Sequence, residues 1–249
     1  MFGKSTTSKY IADKFNMQYF DEGSGKHPAD YEHHAFVQMS ELKKFPIDHQ
    51  NKIIEKSEQK SGGLIVPLSA FKGYLFRRLL QYKIYDGLPW EIEKPVMLDK
   101  WREFVNNRKP DEKYVFNCVL LQNPMCEIMI HFGFNREKAA EYIGEVCSII
   151  KPMNPIVVYL KNSNIIESVK KAVSERGDDW VHMVIDYHCN SAYGKLENLS
   201  GFEGYISALE ERQRIELEIL SSADIDYIVM DDPQKNWEAA YREIDKMLI

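Results

Sequence analysis

Short apolar runs alternate along this chain with segments of helical spacing. Residues 17–20, 114–121, 156–160 and 227–230 are rich in Val, Ile, Leu, Phe, Tyr and Met. Runs of that length bounded by polar turns read as strands, and 114–121 and 156–160 read as strands covered on both faces. Between them, apolar residues recur three and four positions apart. Ile11 and Phe15 share a face in 5–15, and Phe71, Leu75, Leu79 and Tyr82 do so in 70–85. Ala139, Ile143, Val146 and Ile150 form one stripe over 136–150. Further helices are expected at 164–175, which is basic, at 201–220, and from about 236 to 248 with Trp237, Ile244 and Leu248 as anchors. Residues 35–60 read as a polar helical stretch broken near Pro46, with Ser61-Gly62-Gly63 as a breaker before Leu64-Ile65-Val66. The aromatic stretch 74–104 reads as core. Strands separated by helices predict an α/β fold with a parallel sheet and crossovers, without repeats, low-complexity linkers or an obvious domain boundary.

Composition narrows the class. The 249 residues are 44% hydrophobic and 28% charged, which is ordinary for a globular chain able to bury a large core. A net charge of −6 argues against a general nucleic-acid binder. No apolar run approaches the ~20 residues of a membrane helix, and no signal-peptide pattern opens the chain. Cys118, Cys126, Cys147 and Cys189 form no C-x-x-C pair, so free thiols in a reducing, cytoplasmic compartment are expected. His27, Asp30, His33 and His34 match no zinc spacing and read as solvated helix or loop residues.

Candidate chemistry begins with Gly3-Lys4-Ser5-Thr6. In the phosphate-binding loop G-x-x-x-x-G-K-[ST], backbone N–H groups and a helix N-terminus hold phosphate oxygens. The Lys reaches the β/γ-phosphates, and the Ser or Thr hydroxyl ligates Mg²⁺. Gly3-Lys4-Ser5 supplies its last three required positions, while the first glycine and the strand feeding it would fall before Met1. Ser5, Thr6 and Thr7 are suitable residues to open the helix that follows. A second candidate, Gly23-Ser24-Gly25-Lys26, is rejected, because Phe20 stands where the first glycine is needed and His27-Pro28 follows the lysine. The strand at 17–20 runs into Asp21-Glu22-Gly23, and carboxylates at such a sheet edge suit metal or general-base work.

Taken in order, these features resemble the nucleoside and nucleotide kinase branch of the P-loop NTPases, the thymidylate-kinase-like and deoxynucleoside-kinase-like proteins. The matching features are Gly3-Lys4-Ser5-Thr6, the acidic turn Asp21-Glu22-Gly23, and the strands at 115–121 and 154–160. The lid-like Lys170-Lys171…Ser174-Glu175-Arg176-Gly177 and the closing Ile228-Val229-Met230-Asp231…Trp237-Glu238 also fit. The resemblance implies a three-layer α/β sandwich with a mainly parallel sheet, truncated at its first strand. The slot of that strand would lie open between the strands at Val115 and Ile156. It further implies one domain over 1–249, with a helical and aromatic acceptor-binding insertion at about 30–108.

The activity implied is transfer of the γ-phosphate of ATP (or GTP), with Mg²⁺, to a small-molecule acceptor, with neither nucleic acid nor membrane as partner. Gly3, Lys4, Ser5 and Thr6 would bind the nucleotide, with Lys4 on the β/γ-phosphates and Thr6 near the α-phosphate. Ser5, with Asp21, would serve the metal. Arg176, with Lys171, would close over the transferring group, and Glu22 or Asp21 would orient or deprotonate the acceptor hydroxyl. The chain departs from the family pattern at the acidic turn, which reads Asp-Glu-Gly rather than Glu-Pro. It departs again at Gln122-Asn123-Pro124, which replaces an Asp-Arg or Glu-Arg-Ser signature. These differences keep an alternative in view, a degenerate, non-catalytic P-loop protein acting as a nucleotide-responsive or interaction module.

Overall fold

The computed structural model describes residues 3–248, so Met1 and Phe2 of the opening stretch lie outside the described residues. The fold is mixed α/β and 61% helical, with small parallel and antiparallel sheets. Helix α1 (Lys4–Phe15) leads to strands β1 (Gln18–Phe20) and β2 (His34–Gln38), then α2 (Met39–Leu42) and α3 (Ile47–Glu55). Strands β3 (Glu58–Lys60) and β4 (Gly63–Pro67) precede α4 (Gly73–Leu79), α5 (Trp90–Asn107) and β5 (Tyr114–Phe116). Next come α6 (Gln122–Met125), a π-helical turn (Cys126–His131), α7 (Arg136–Ile150) and β6 (Ile156–Lys161). Helices α8 (Ile165–Arg176), α9 (Asp178–Cys189), α10 (Ala192–Leu196) and α11 (Gly201–Ser222) run to β7 (Asp226–Asp231) and α12 (Trp237–Leu248).

Two compact units result: residues 21–108, and the chain up to Phe20 together with that from Lys109 onward. In the first, β2 and β3 flank β4 in an antiparallel sheet, with Ala35 opposite Val66 and Gln59 opposite Leu64. Ala35, Val37, Leu42, Ile53, Val66 and Leu79 lie at its core. The helix expected across 35–60 is therefore interrupted. His34–Gln38 is a strand, because Ala35, Phe36 and Val37 are all buried in the pairing with β4, which overrides a weak helical pattern. His27 and Asp30 are buried rather than solvated. The Asp30 carboxylate accepts from the Tyr31 amide at 2.7 Å and the Tyr85 hydroxyl at 2.8 Å. Burial first, and then nearby Lys100, lowers the His27 pKa to about 4. Trp90 and Trp101 are core residues.

The second unit carries two parallel strand pairs, β1–β5 and β6–β7, in separate two-stranded sheets. Val115 of β5, Val158 and Leu160 of β6, and Ile228 and Met230 of β7 pack in one core with Ile11 of α1 and Ile244 of α12. Strand β5 stops at Phe116, short of the eight-residue run expected there. Asn117 is buried, and Cys118 takes a left-handed φ of 68°, which turns the chain out of the sheet. Strand β6 was expected to be buried, yet Val157, Val158, Tyr159 and Leu160 are only half-buried. Helix α7 spans the predicted residues, opened by Asn135, whose side chain accepts from the Lys138 amide at 3.1 Å. Among the described residues, no helix is long and apolar enough to cross a membrane.

Candidate functional site

Gly3 begins α1 with φ of 89°, a left-handed conformation that costs glycine little and other residues about 1–2 kcal/mol. Its carbonyl accepts the Thr7 amide at 2.8 Å, closing the first turn. The helix macrodipole leaves partial positive charge at this end. Lys4 and Ser5 are half-buried, whereas Thr6 is exposed.

Both chemistry-bearing side chains meet the segment that follows β5. The Lys4 ammonium donates to Gln122 Oε1, and Asn117 Nδ2 donates to Ser5 Oγ at 3.2 Å. The backbone between these partners is a tight turn, with the Val119 amide on the Asn117 carbonyl and the Asn123 amide on that of Cys118. Beyond α6, the π-helical turn buries Ile128, Met129 and Ile130 almost completely, so Gln122 stands at the start of a firmly packed element. Turns of this kind recur at functional sites.

A buried polar group lies in the same unit. Arg212 of α11 donates from Nη1 to Cys126 Sγ at 3.2 Å and pairs through Nε with Glu216 at 3.3 Å. Tyr159 of β6 donates to the other Glu216 oxygen at 2.6 Å. Burial pushes the Cys126 thiol pKa up, with Arg212 and then Lys4 pulling against it. Burial also raises the Tyr159 hydroxyl, with the Glu216 charge adding to the effect.

The other predicted residues belong to other elements. Asp21 and Glu22 belong to the unit of residues 21–108, where the Asp21 carboxylate accepts the Glu22 amide at 3.0 Å and Glu22 is exposed. Arg176, at the end of α8, is exposed and lies over the Trp180 ring at 5.0 Å. A cavity of about 770 Å³ opens between α8, α9 and the start of α11, and none of the predicted site residues lines it. Among the described residues, no group of three or more His, Cys, Asp or Glu is placed to hold a metal ion.

The sequence marks Gln122 as part of Gln122-Asn123-Pro124, a departure from the family signature, and assigns Asn117 no role. Asn117 had a signal, as a lone amide inside an otherwise apolar stretch. The arginine of α11 gave none, because surface helices also alternate Glu and Arg. Comparison with protein-family models, with curated proteins and with solved structures gives no match for this chain.

Proposed function

We propose that this chain is a nucleotide-binding phosphotransferase that moves the γ-phosphate of ATP or GTP to a small-molecule acceptor. The observation that carries the reading is the start of α1. A left-handed glycine opens the helix, and the two side chains after it, Lys4 and Ser5, are both held by the segment that leaves parallel strand β5. Phosphate oxygens would meet the positive N-terminal end of α1 and the Lys4 ammonium, a charge-assisted arrangement suited to anions. The residues present fit magnesium carried in by a nucleotide better than a bare ion. Ser5 would supply one oxygen, and the other ligands would come from phosphate and water. When bound, the metal would neutralise charge on the phosphates, while the chain's own residues would bind and align the group to be transferred. Arg176 would assist only after leaving the Trp180 ring.

The finer reading of the fold belongs to the same proposal. The pairs β1–β5 and β6–β7 are taken as halves of one parallel sheet in a three-layer sandwich, with room between β5 and β6 for a strand running into Gly3. Their shared core and the half-buried apolar face of β6 support this.

A second reading, nucleotide binding without transfer, is favoured by Gln122-Asn123-Pro124, which puts no charge beside the loop. Titration calorimetry with Mg–ATP and Mg–GTP tests the common core of both. Lys4→Ala should weaken binding by ~10–150-fold, the loss of about 1.5–3 kcal/mol from a charge-assisted contact. Lys9→Ala, on an exposed part of the same helix, should leave it unchanged. Equal behaviour of the two variants would refute the phosphate site. Phosphate release or transfer by the binding-competent protein then separates the two readings.

A further inference from the structure

The phosphate-site reading leaves Gln122 and its bond to the Lys4 ammonium unexplained. The Gln122 side chain is half-buried, and its amide oxygen accepts from the Lys4 ammonium. Its backbone is fixed on one side by the turn through Cys118, a non-glycine residue held at positive φ. On the other side it is fixed by the buried π-helical turn. Strain of that kind persists only where the surrounding structure enforces it. Gln122 is therefore presented to Lys4 by rigid chain on both sides.

Resting on the proposed phosphate site, we infer that Gln122 is a positioning residue that holds Lys4 in the ligand-free state and yields it to phosphate on binding. The chemistry depends on the acceptor being neutral. An ammonium half-removed from water needs a partner, and an amide oxygen supplies one without cancelling its charge. A phosphate oxygen is a far stronger acceptor for a cation, so the exchange runs toward the ligand. A carboxylate at the same place would form an ion pair with Lys4 and oppose that exchange.

The test is a double-mutant cycle on the full chain, with Gln122→Glu made in the Lys4 and in the Lys4→Ala backgrounds. Without nucleotide, Gln122→Glu should raise the thermal midpoint when Lys4 is present and fail to raise it when Lys4 is replaced. With Mg–ATP, it should weaken binding at least tenfold in the Lys4 background and by much less in the Lys4→Ala background. Gln122→Ala should leave affinity within about threefold of the parent, because the phosphate never used the amide. Equal effects of Gln122→Glu in both backgrounds would mark a merely structural residue and overturn the inference. A loss with Gln122→Ala as large as that with Lys4→Ala would overturn it too, by showing that Gln122 touches the ligand. Failure of the parent to bind Mg–ATP would instead count against the phosphate site, and the stability arm of the cycle would still decide whether Gln122 holds Lys4.

Discussion

The indole of Trp237 lies directly against Gly3. A Cβ built on Gly3 would stand 2.1 Å from Trp237 Cη2 and 2.5 Å from Cζ2. Trp237 in turn stacks on Tyr241, and Tyr241 stacks on Tyr10 with ring centroids 3.9 Å apart. The first residue of α12 thus forms one wall of the turn that opens α1, and the ladder of rings ties the two helices together.

Gly3→Ala should accordingly act twice, through a strained left-handed backbone and through displacement of the indole. The expected loss of stability is about 2–4 kcal/mol. In a Trp237→Ala background, the same substitution should cost only the ~1–2 kcal/mol of the backbone term. Denaturant unfolding of the four proteins measures the difference.

Magnesium alone should show no saturable binding at millimolar concentration, because a single hydroxyl and water make a poor site for a strongly hydrated ion. In the presence of ATP, the heat of nucleotide binding should become magnesium-dependent, and Ser5→Ala should remove most of that dependence. Calorimetric titrations with and without each component check it.

His188 is buried, with Nδ1 bonded to the Val184 carbonyl at 2.7 Å and its ring 4.7 Å from that of Tyr205. Burial is the main cause that lowers its pKa from 6.5 to about 4. The folded state therefore takes up this proton less readily than the unfolded state. Its contribution is fully present above pH 6.5 and is lost as pH falls from there toward 4. The loss for this one group is ~3 kcal/mol at most. His188→Asn should flatten that part of the stability profile, measured by urea unfolding across the same pH range.

Removing only the arginine from the Arg212–Glu216–Tyr159 group should be costly. Arg212→Ala leaves a buried carboxylate without its cation and should lose about 3–5 kcal/mol. Replacing the set together, with Arg212→Met, Glu216→Leu and Tyr159→Phe, should recover most of that loss. Thermal unfolding of the single and triple variants compares the two.

The legible parts of the fold were those governed by one local rule. The stripe Ala139, Ile143, Val146 and Ile150 located α7 to the residue, and the runs around Val158 and Val229 located β6 and β7. Pairing partners were not legible. The pairing that makes β2 a strand is visible only beside β4, which follows after α2, α3 and β3. The end of β5 depends on one backbone angle at Cys118, a residue whose type gives no warning of positive φ. At the candidate site, Gly3-Lys4-Ser5 could be read from spacing alone. Asn117 and Gln122 reach that site only because β5 lies beside α1, a relation carried by tertiary packing.

The parallel pairing of Tyr19 with Val115 sets a condition on how the chain folds. The two strands are consecutive within their unit, yet the whole of residues 21–108 lies between them in sequence. For a disordered chain of that length, bringing the ends together costs loop-closure entropy before any ladder bond rewards it. A segment already collapsed around its own antiparallel sheet and core removes most of that cost, since its length no longer counts as free chain. Residues 21–108 should therefore gain structure first and β1–β5 register late. Substitutions in the Val37–Val66 core should slow the step that places β5 beside α1, read as a slower refolding phase in stopped-flow measurements.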